Sequence, residues 1–233
     1  MGDMDPIGGA ALAGQAASAF LRRSRVAISV NEDYDTFGDF RVRRFFFPVD
    51  SPDKLTKLRD DGPNTVYSKP YSWVAKNKGC ELGHTVFEFA IQALNATVAL
   101  VGGKPVPSES KVVPGIAVLP PPAGGPIQGS YLSVCLDDAT LTCHDGSNPG
   151  TPPVPFRFDI PQGKTEVFRV HAYTTTKPTI WFLRLLFLVN GKKVQCDLRR
   201  DNGEEFVTLP FKYPGITSSY EWRHGHWEQV PNR

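Results

Sequence analysis

The stretch from Lys164 to Leu209 constrains the fold most strongly, because strand-like runs alternate there with marked turns. Asn190 and Gly191 form the dipeptide that favours a type I′ hairpin turn, in which both central residues need a positive φ. We therefore expect this stretch to form an antiparallel meander. Its predicted strands are Thr165–Tyr173, Thr179–Val189, Lys192–Arg199 and Glu205–Leu209.

The second of these strands is apolar on both faces, which is typical of a strand that is covered on both sides. Trp181 alternates with Leu183 and Leu185, so these side chains are predicted to lie in the core. Arg184 points to the other face. We expect it either at the rim of the sheet or paired with a carboxylate.

The remaining chain predicts more strands of the same kind, about ten in all, at the spacing typical of a sandwich. Gly and Pro, 21 of each, indicate many turns and few long helices. We predict a mainly β fold: an antiparallel β-sandwich, Ig-like or jelly-roll-like, with one or two short helices and an N-terminal arm. The other predicted strands are Arg25–Val30, Asp39–Phe47, Thr85–Leu94, Thr97–Val101, Lys111–Leu119, Gly129–Leu136, Thr140–Cys143 and Pro155–Ile160, with a turn at Gly102-Gly103.

The domain organisation follows from composition. Residues 1–23 are rich in Ala and Gly and form an arm or a small-residue helix, and residues 24–233 form the sandwich. The Pro/Gly-rich loop 120–126 is a candidate internal boundary. Short helices are predicted from Ser51, as N-cap, to about Arg59, and within 68–78. An arm followed by many strands resembles jelly-roll coat proteins in layout only, and this resemblance assigns no role to any residue.

Charge and hydropathy exclude several classes of partner. The 26 basic and 24 acidic residues give a net charge of +2, which provides no basis for nucleic-acid binding. No segment approaches the ~20 apolar residues of a membrane span. The N-terminus has no convincing signal peptide, so the sequence leaves the cellular location open.

Cysteines and histidines give only weak site candidates. Cys135 and Cys143 flank a short turn, so they either form a disulfide or remain two buried thiols. His224 and His226 would point to the same side of an extended segment, as metal ligands need, but no metalloprotease motif surrounds them. We therefore predict no metal site and no cofactor, and no catalytic motif is present.

Two groups of residues are candidates for contact with a partner protein. Arg41, Arg43 and Arg44 form a basic stretch that would suit an acidic partner, or else a solvated strand face. Trp222 and Trp227 lie in an aromatic tail that we expect to fold over a sheet edge, with the tryptophans as anchors.

The absence of recognisable chemistry favours a non-enzymatic β-sandwich that binds or scaffolds other proteins, through a protein partner or self-association. One alternative is a structural subunit of a larger assembly, such as a virion or a secretion particle. Another is a hydrolase whose site the sequence does not reveal.

Overall fold

A computed structural model describes residues 26–32, 44–55, 73–74, 76–119, 130–144, 152–223 and 226–232. This part of the chain is dominated by sixteen β-strands, which confirms the mainly β prediction. In chain order the strands are β1 Val26–Asn31, β2 Arg44–Phe47, β3 Cys80–Leu82, β4 His84–Ala93, β5 Val98–Glu109, β6 Gly115–Leu119, β7 Ser130–Cys135, β8 Thr140–His144, β9 Pro153–Val154, β10 Phe158–Ile160, β11 Thr165–Tyr173, β12 Thr179–Val189, β13 Lys192–Leu198, β14 Phe206–Thr208, β15 Ile216–Arg223 and β16 His226–Val230.

Two sheets enclose the main hydrophobic core. The first has the strand order β1-β4-β11-β7-β8-β9, and the second has the order β10-β5-β12-β13 with β14 also paired to β12. Neighbouring strands are antiparallel except β7 and β11, which are parallel. Phe89, Phe168, Leu185 and Phe187 are among the fully buried side chains between the sheets. The predicted β-sandwich is thus confirmed, and the choice between Ig-like and jelly-roll-like classes stays a prediction.

A third sheet has the order β16-β15-β6-β2-β3 and has small cores on both faces. Phe45 and Phe47 face one core, where Trp73 packs against them, and Phe46 faces the other. The run of three phenylalanines in β2 is therefore buried on both sides of the sheet. Strand β15 pairs with β6 in parallel, although they are far apart in sequence.

The predicted turn at Asn190-Gly191 is confirmed, with φ values of 49° and 76°. The prediction of a meander over Lys164–Leu209 is wrong, because β11 belongs to the first sheet and β12 to the second. The segment between them crosses the sandwich, so each strand buries its apolar face in the same core from opposite sides. Alternating apolar residues indicate which side chains are buried, but they do not indicate which sheet contains the strand.

The predicted turn at Gly102-Gly103 is also wrong, because β5 continues through both glycines to Glu109. The pairing with β12 shifts by one residue between Leu186 and Phe187, which leaves Val101 as a bulge. A Cβ atom at Gly103 would lie 3.0 Å from the carbonyl oxygen of Arg184. The glycine therefore allows close approach of two backbones within a strand and does not form a turn.

Ser51 caps a short 3-10 helix, Pro52–Lys54, as predicted, but the helix ends before Leu55, whose backbone is extended. Residues 73, 74 and 76 are helical, and the helix ends before Gly79. The arm 1–23 and the loop 120–126 lie outside the described residues. Both sheets of the sandwich combine strands that precede and follow that loop.

Candidate functional site

The aromatic tail is itself a strand pair at the edge of the third sheet. Strands β15 and β16 form an antiparallel hairpin, hereafter the C-terminal hairpin, in which Trp222 lies opposite Trp227. Strand β16 is the last in its sheet. The sequence predicted a tail that folds over a sheet edge, whereas the structure makes the tail the edge.

One face of the C-terminal hairpin carries a row of aromatic rings. The centroids of Trp222 and Trp227 are 4.9 Å apart in an edge-to-face arrangement. Trp227 also stacks on Trp73 at 6.2 Å, and Trp73 contacts Phe47 at 5.0 Å. Trp222 and Trp227 are half-buried. The row therefore begins in the small core beside Phe47 and reaches the molecular surface at the hairpin.

The other face of the C-terminal hairpin is charged. Arg223 donates a hydrogen bond to Glu221 at 2.7 Å, which raises the pKa of the guanidinium. His226 Nε2 lies 3.3 Å from Glu228 Oε1. Glu221 lies directly opposite Glu228 across the two strands, an unfavourable arrangement for like charges. The hairpin thus has an aromatic face, a charged face and a backbone edge.

The metal-site candidates are only partly described, since His224 lies outside the described residues. His226 is exposed and contacts Glu228. Within the described ranges, no three His, Cys, Asp or Glu residues are grouped so that they could hold one metal ion.

Of the predicted basic stretch, Arg41 and Arg43 lie outside the described residues. Arg44 is only 5% exposed, and its guanidinium lies 5.0 Å from the centroid of the Phe211 ring. A side chain buried to this extent cannot contact an acidic partner directly. The placement of Arg44 therefore does not support a role at an interface.

The structure does not bring Cys135 and Cys143 together. Strands β7 and β8 form the predicted hairpin, but Cys135 lies opposite Thr140, and Cys143 lies opposite Leu132. Cys143 and Leu132 face the core, whereas Cys135 is on the other face of the sheet. Neither cysteine forms a disulfide in the structure. Because side chains alternate between the two faces, this register does not support the disulfide.

Sequence reasoning missed a row of histidines across the outer face of the first sheet, hereafter the histidine row. His84, His171, Tyr131 and His144 follow one another with ring-centroid distances of 4.7, 5.7 and 6.0 Å. They come from β4, β11, β7 and β8, so only the strand order brings them together. Within each strand these residues alternate with core residues, and this alternation could have placed them on the outer face of a sheet.

The histidine row is closed to solvent near one end. Tyr131 is 2% exposed and His144 is 8% exposed, and His144 Nε2 lies 3.2 Å from the Thr142 hydroxyl oxygen. At the other end, His84 Nε2 lies 3.8 Å from Glu81 Oε1, and that carboxylate is itself buried. A substrate in solution could not reach Tyr131 or His144 as they are placed.

Asp137 joins the turn after β7 to the crossover between the two sheets of the sandwich. Its carboxylate accepts hydrogen bonds from the hydroxyl groups of Thr174, Thr175 and Thr176, at 2.9, 2.8 and 2.6 Å, and from the Thr175 backbone N–H at 2.8 Å. Burial acts to raise the pKa of Asp137, but these hydrogen bonds outweigh it and hold the pKa well below its ordinary value. This arrangement explains how the carboxylate is satisfied without a cation.

The outer face of the second sheet contains the arginine that the sequence singled out. Arg184 forms two hydrogen bonds to Asp197, at 2.6 and 2.8 Å, as one of the two predicted placements requires. Phe182 lies beside it, with the guanidinium of Arg199 4.4 Å from the ring centroid. The apolar side chains on this face are half-buried, whereas the sequence predicted a strand covered on both sides.

No helix among the described residues is long and apolar enough to cross a membrane. No protein-family model, no curated protein and no solved structure matches this chain. Any functional assignment therefore has to come from the geometry of its own residues.

Proposed function

We propose that this protein acts by binding other proteins, as a non-enzymatic β-sandwich whose contact surface is the C-terminal hairpin. The observation that supports this most directly is the position of Trp222 and Trp227, half-buried at the edge of a sheet. Aromatic side chains are enriched at protein interfaces and dominate their binding energy. Trp73 and Phe47 pack against the row on its core side and hold Trp227 in place. Little side-chain entropy is therefore lost when a partner binds.

The alternative of a hydrolase receives less support. The histidine row is the described cluster that comes nearest to acid–base chemistry, and Tyr131 and His144 within it are buried. General acid–base catalysis requires its groups to be within hydrogen-bonding reach of a bound substrate. The aromatic row, in contrast, already reaches the surface.

A structural subunit of a larger assembly is a second candidate, favoured by the edge strand β16. Unpaired strand edges act as templates for another chain, and proteins usually protect them with Lys, Pro or a very short strand. Strand β16 has five residues and contains neither Lys nor Pro. The same surface would serve both functions, and the partner would be another copy of the chain in the assembly.

The proposed function can be tested by comparing the proteins retained by the tagged full-length chain and by its Trp222→Ala variant. Phe182→Ala is the matched control, because Phe182 is also a half-buried aromatic residue but lies on another sheet. We expect a defined set of proteins, the chain itself included, to be lost with Trp222→Ala and kept with Phe182→Ala. Circular dichroism would check that both variants are folded. Equal retention by both variants, or no retained protein at all, would contradict the proposal.

A further inference from the structure

The edge strand β16 carries a pattern that is complementary to itself. Arg223 and His226 pair across a two-residue connection, and the pair that flanks such a connection normally exchanges backbone hydrogen bonds. Because hydrogen-bonded and non-hydrogen-bonded pairs alternate along an antiparallel ladder, the backbones of His226, Glu228 and Val230 face β15. Those of Trp227 and Gln229 then face away from β15, on the side where no other described strand pairs with β16.

We infer that β16 pairs with β16 of a second copy, antiparallel and around a two-fold axis centred on Trp227. This inference rests on the proposed function, since it names the partner of the same hairpin. The two third sheets would then form one continuous sheet. The interface would be isologous, so every contact in it would occur twice.

Charge selects this register over the others. A two-fold pairing of β16 must be centred on a residue. A centre at Glu228 would place two carboxylates opposite each other, and a centre at Gln229 would place Glu228 of each copy opposite Val230, which offers the carboxylate no hydrogen bond. A centre at Trp227 places His226 of each copy opposite Glu228 of the other. An imidazole and a carboxylate that face each other across strands can form a hydrogen bond, whereas two facing carboxylates repel each other.

The same register extends both faces of the C-terminal hairpin. Residues directly opposite in a sheet project to the same side, so the two Trp227 rings would meet and join the aromatic rows of both copies. On the charged face, Glu228 has Glu221 beside it within its own chain. The imidazole of His226 from the second copy would lie on the other side of Glu228, within reach of a hydrogen bond.

Other sheet edges are less suited to self-pairing. Strand β13 begins with Lys192 and Lys193, which discourage pairing, and its Asp197 is bound by Arg184 through two hydrogen bonds. Strand β1 has no charged side chain that could select one register. Strands β3, β9 and β10 have only two or three residues.

The expected dimer is concentration-dependent rather than permanent. Two five-residue strands and their side chains cover less than the roughly 1,200–2,000 Å² buried by standard stable interfaces. Dissociation constants of weak complexes fall in the micromolar range, so sedimentation velocity should span about 1 to 300 μM of the full-length chain. We expect the sedimentation coefficient to rise from that of a monomer to that of a dimer over this range.

Charge variants of the hairpin test the register itself. Glu228→Lys would place Lys opposite His226 of the other copy and should weaken the dimer at least tenfold. It should leave the monomer as stable or more so, since it removes the unfavourable pairing with Glu221. The double variant His226→Glu, Glu228→Lys restores opposite charges in the proposed register and should restore the dimer. Glu166→Lys makes the same charge change at an exposed position of β11 and should have no effect.

The outcomes separate this inference from the proposed function. A wild-type chain that stays monomeric at every concentration overturns the inference, while retention of other proteins through Trp222 would still support the proposed function. The inference is also overturned if Glu228→Lys associates as the wild type does, or if the double variant remains monomeric. Loss of the dimer in Glu228→Lys and its return in the double variant support it.

Discussion

The sandwich core and the C-terminal hairpin use tryptophan in different ways. Trp181 is completely buried between the two sheets, and its indole Nε1 donates a hydrogen bond to the Thr208 hydroxyl at 2.9 Å. Trp222 and Trp227 are half-buried at the end of the third sheet. An indole with its polar atom satisfied inside a core contributes to stability, whereas one that stays half-exposed has surface left for a partner.

The largest loss of stability should come from replacing Trp181, the buried tryptophan. Trp181→Ala should lower the free energy of unfolding by about 3–5 kcal/mol, because it leaves a large cavity in the core. Urea denaturation followed by circular dichroism measures this value. Trp181→Phe fills more of the cavity and should cost less. If Trp181→Ala changes stability by under 1 kcal/mol, the two tryptophan environments do not differ as described.

A smaller loss of stability is expected in β6, the strand of the third sheet that pairs with β15 of the C-terminal hairpin. A Cβ atom at Gly115, in β6, would collide with the backbone oxygen of Phe47 and the ring of Phe46. Gly115→Ala should therefore cost about 1–3 kcal/mol through overpacking. Gly102→Ala is the matched control, because nothing lies within 4 Å of a Cβ atom there. Equal thermal stability of the two variants would show that β6 can move away without cost.

The contribution of the crossover between the sandwich sheets to stability should depend on pH through Asp137. Because the pKa of Asp137 is lower in the folded state than its ordinary value of 3.8, its contribution to stability is present above pH ~4 and is lost as the pH falls further. Asp137→Asn should cost about 1–2 kcal/mol at pH 7, a modest value because the group is exposed to solvent. The difference from the wild type should shrink in denaturation curves recorded below pH 4. A constant difference at all pH values would disprove this origin.

The smallest change in stability is expected at the hairpin. Trp222→Ala should lower the free energy of unfolding by less than about 1.5 kcal/mol, since a half-buried side chain loses less apolar contact than a buried one. The same denaturation experiment serves for Trp181→Ala and Trp222→Ala. A loss as large as that of Trp181→Ala would make Trp222 a core residue and would remove it from the proposed interface.

The sequence predicted the strands well where a turn or an alternating pattern marked them. The bounds of β11 and β12, the turn at Asn190-Gly191 and the burial of Trp181 are all confirmed. These features depend on local backbone preferences and on which face of a strand is apolar. The partners of each strand depend on distant segments, so the division of β11 and β12 between two sheets could not be read from them.

The candidate site shows the same limit. The sequence identified Trp222 and Trp227 as contact residues but not as opposite members of a hairpin, because the dipeptide His224-Gly225 between them is not one that marks a hairpin turn. The histidine row was missed, since His84, His144 and His171 are widely spaced in the chain and meet only through the strand order of the first sheet.

Backbone amide exchange in β16 tests the account most directly, because it measures the open edge itself. At high dilution the amides of Trp227 and Gln229 should exchange quickly, while those of His226, Glu228 and Val230 remain protected by β15. At high concentration, the amide of Trp227, which lies at the proposed two-fold axis, should become protected as the second copy binds, and the amides of β12 should not change. Exchange at Trp227 that is slow at every dilution, or that stays fast at every concentration, would contradict the proposed edge pairing.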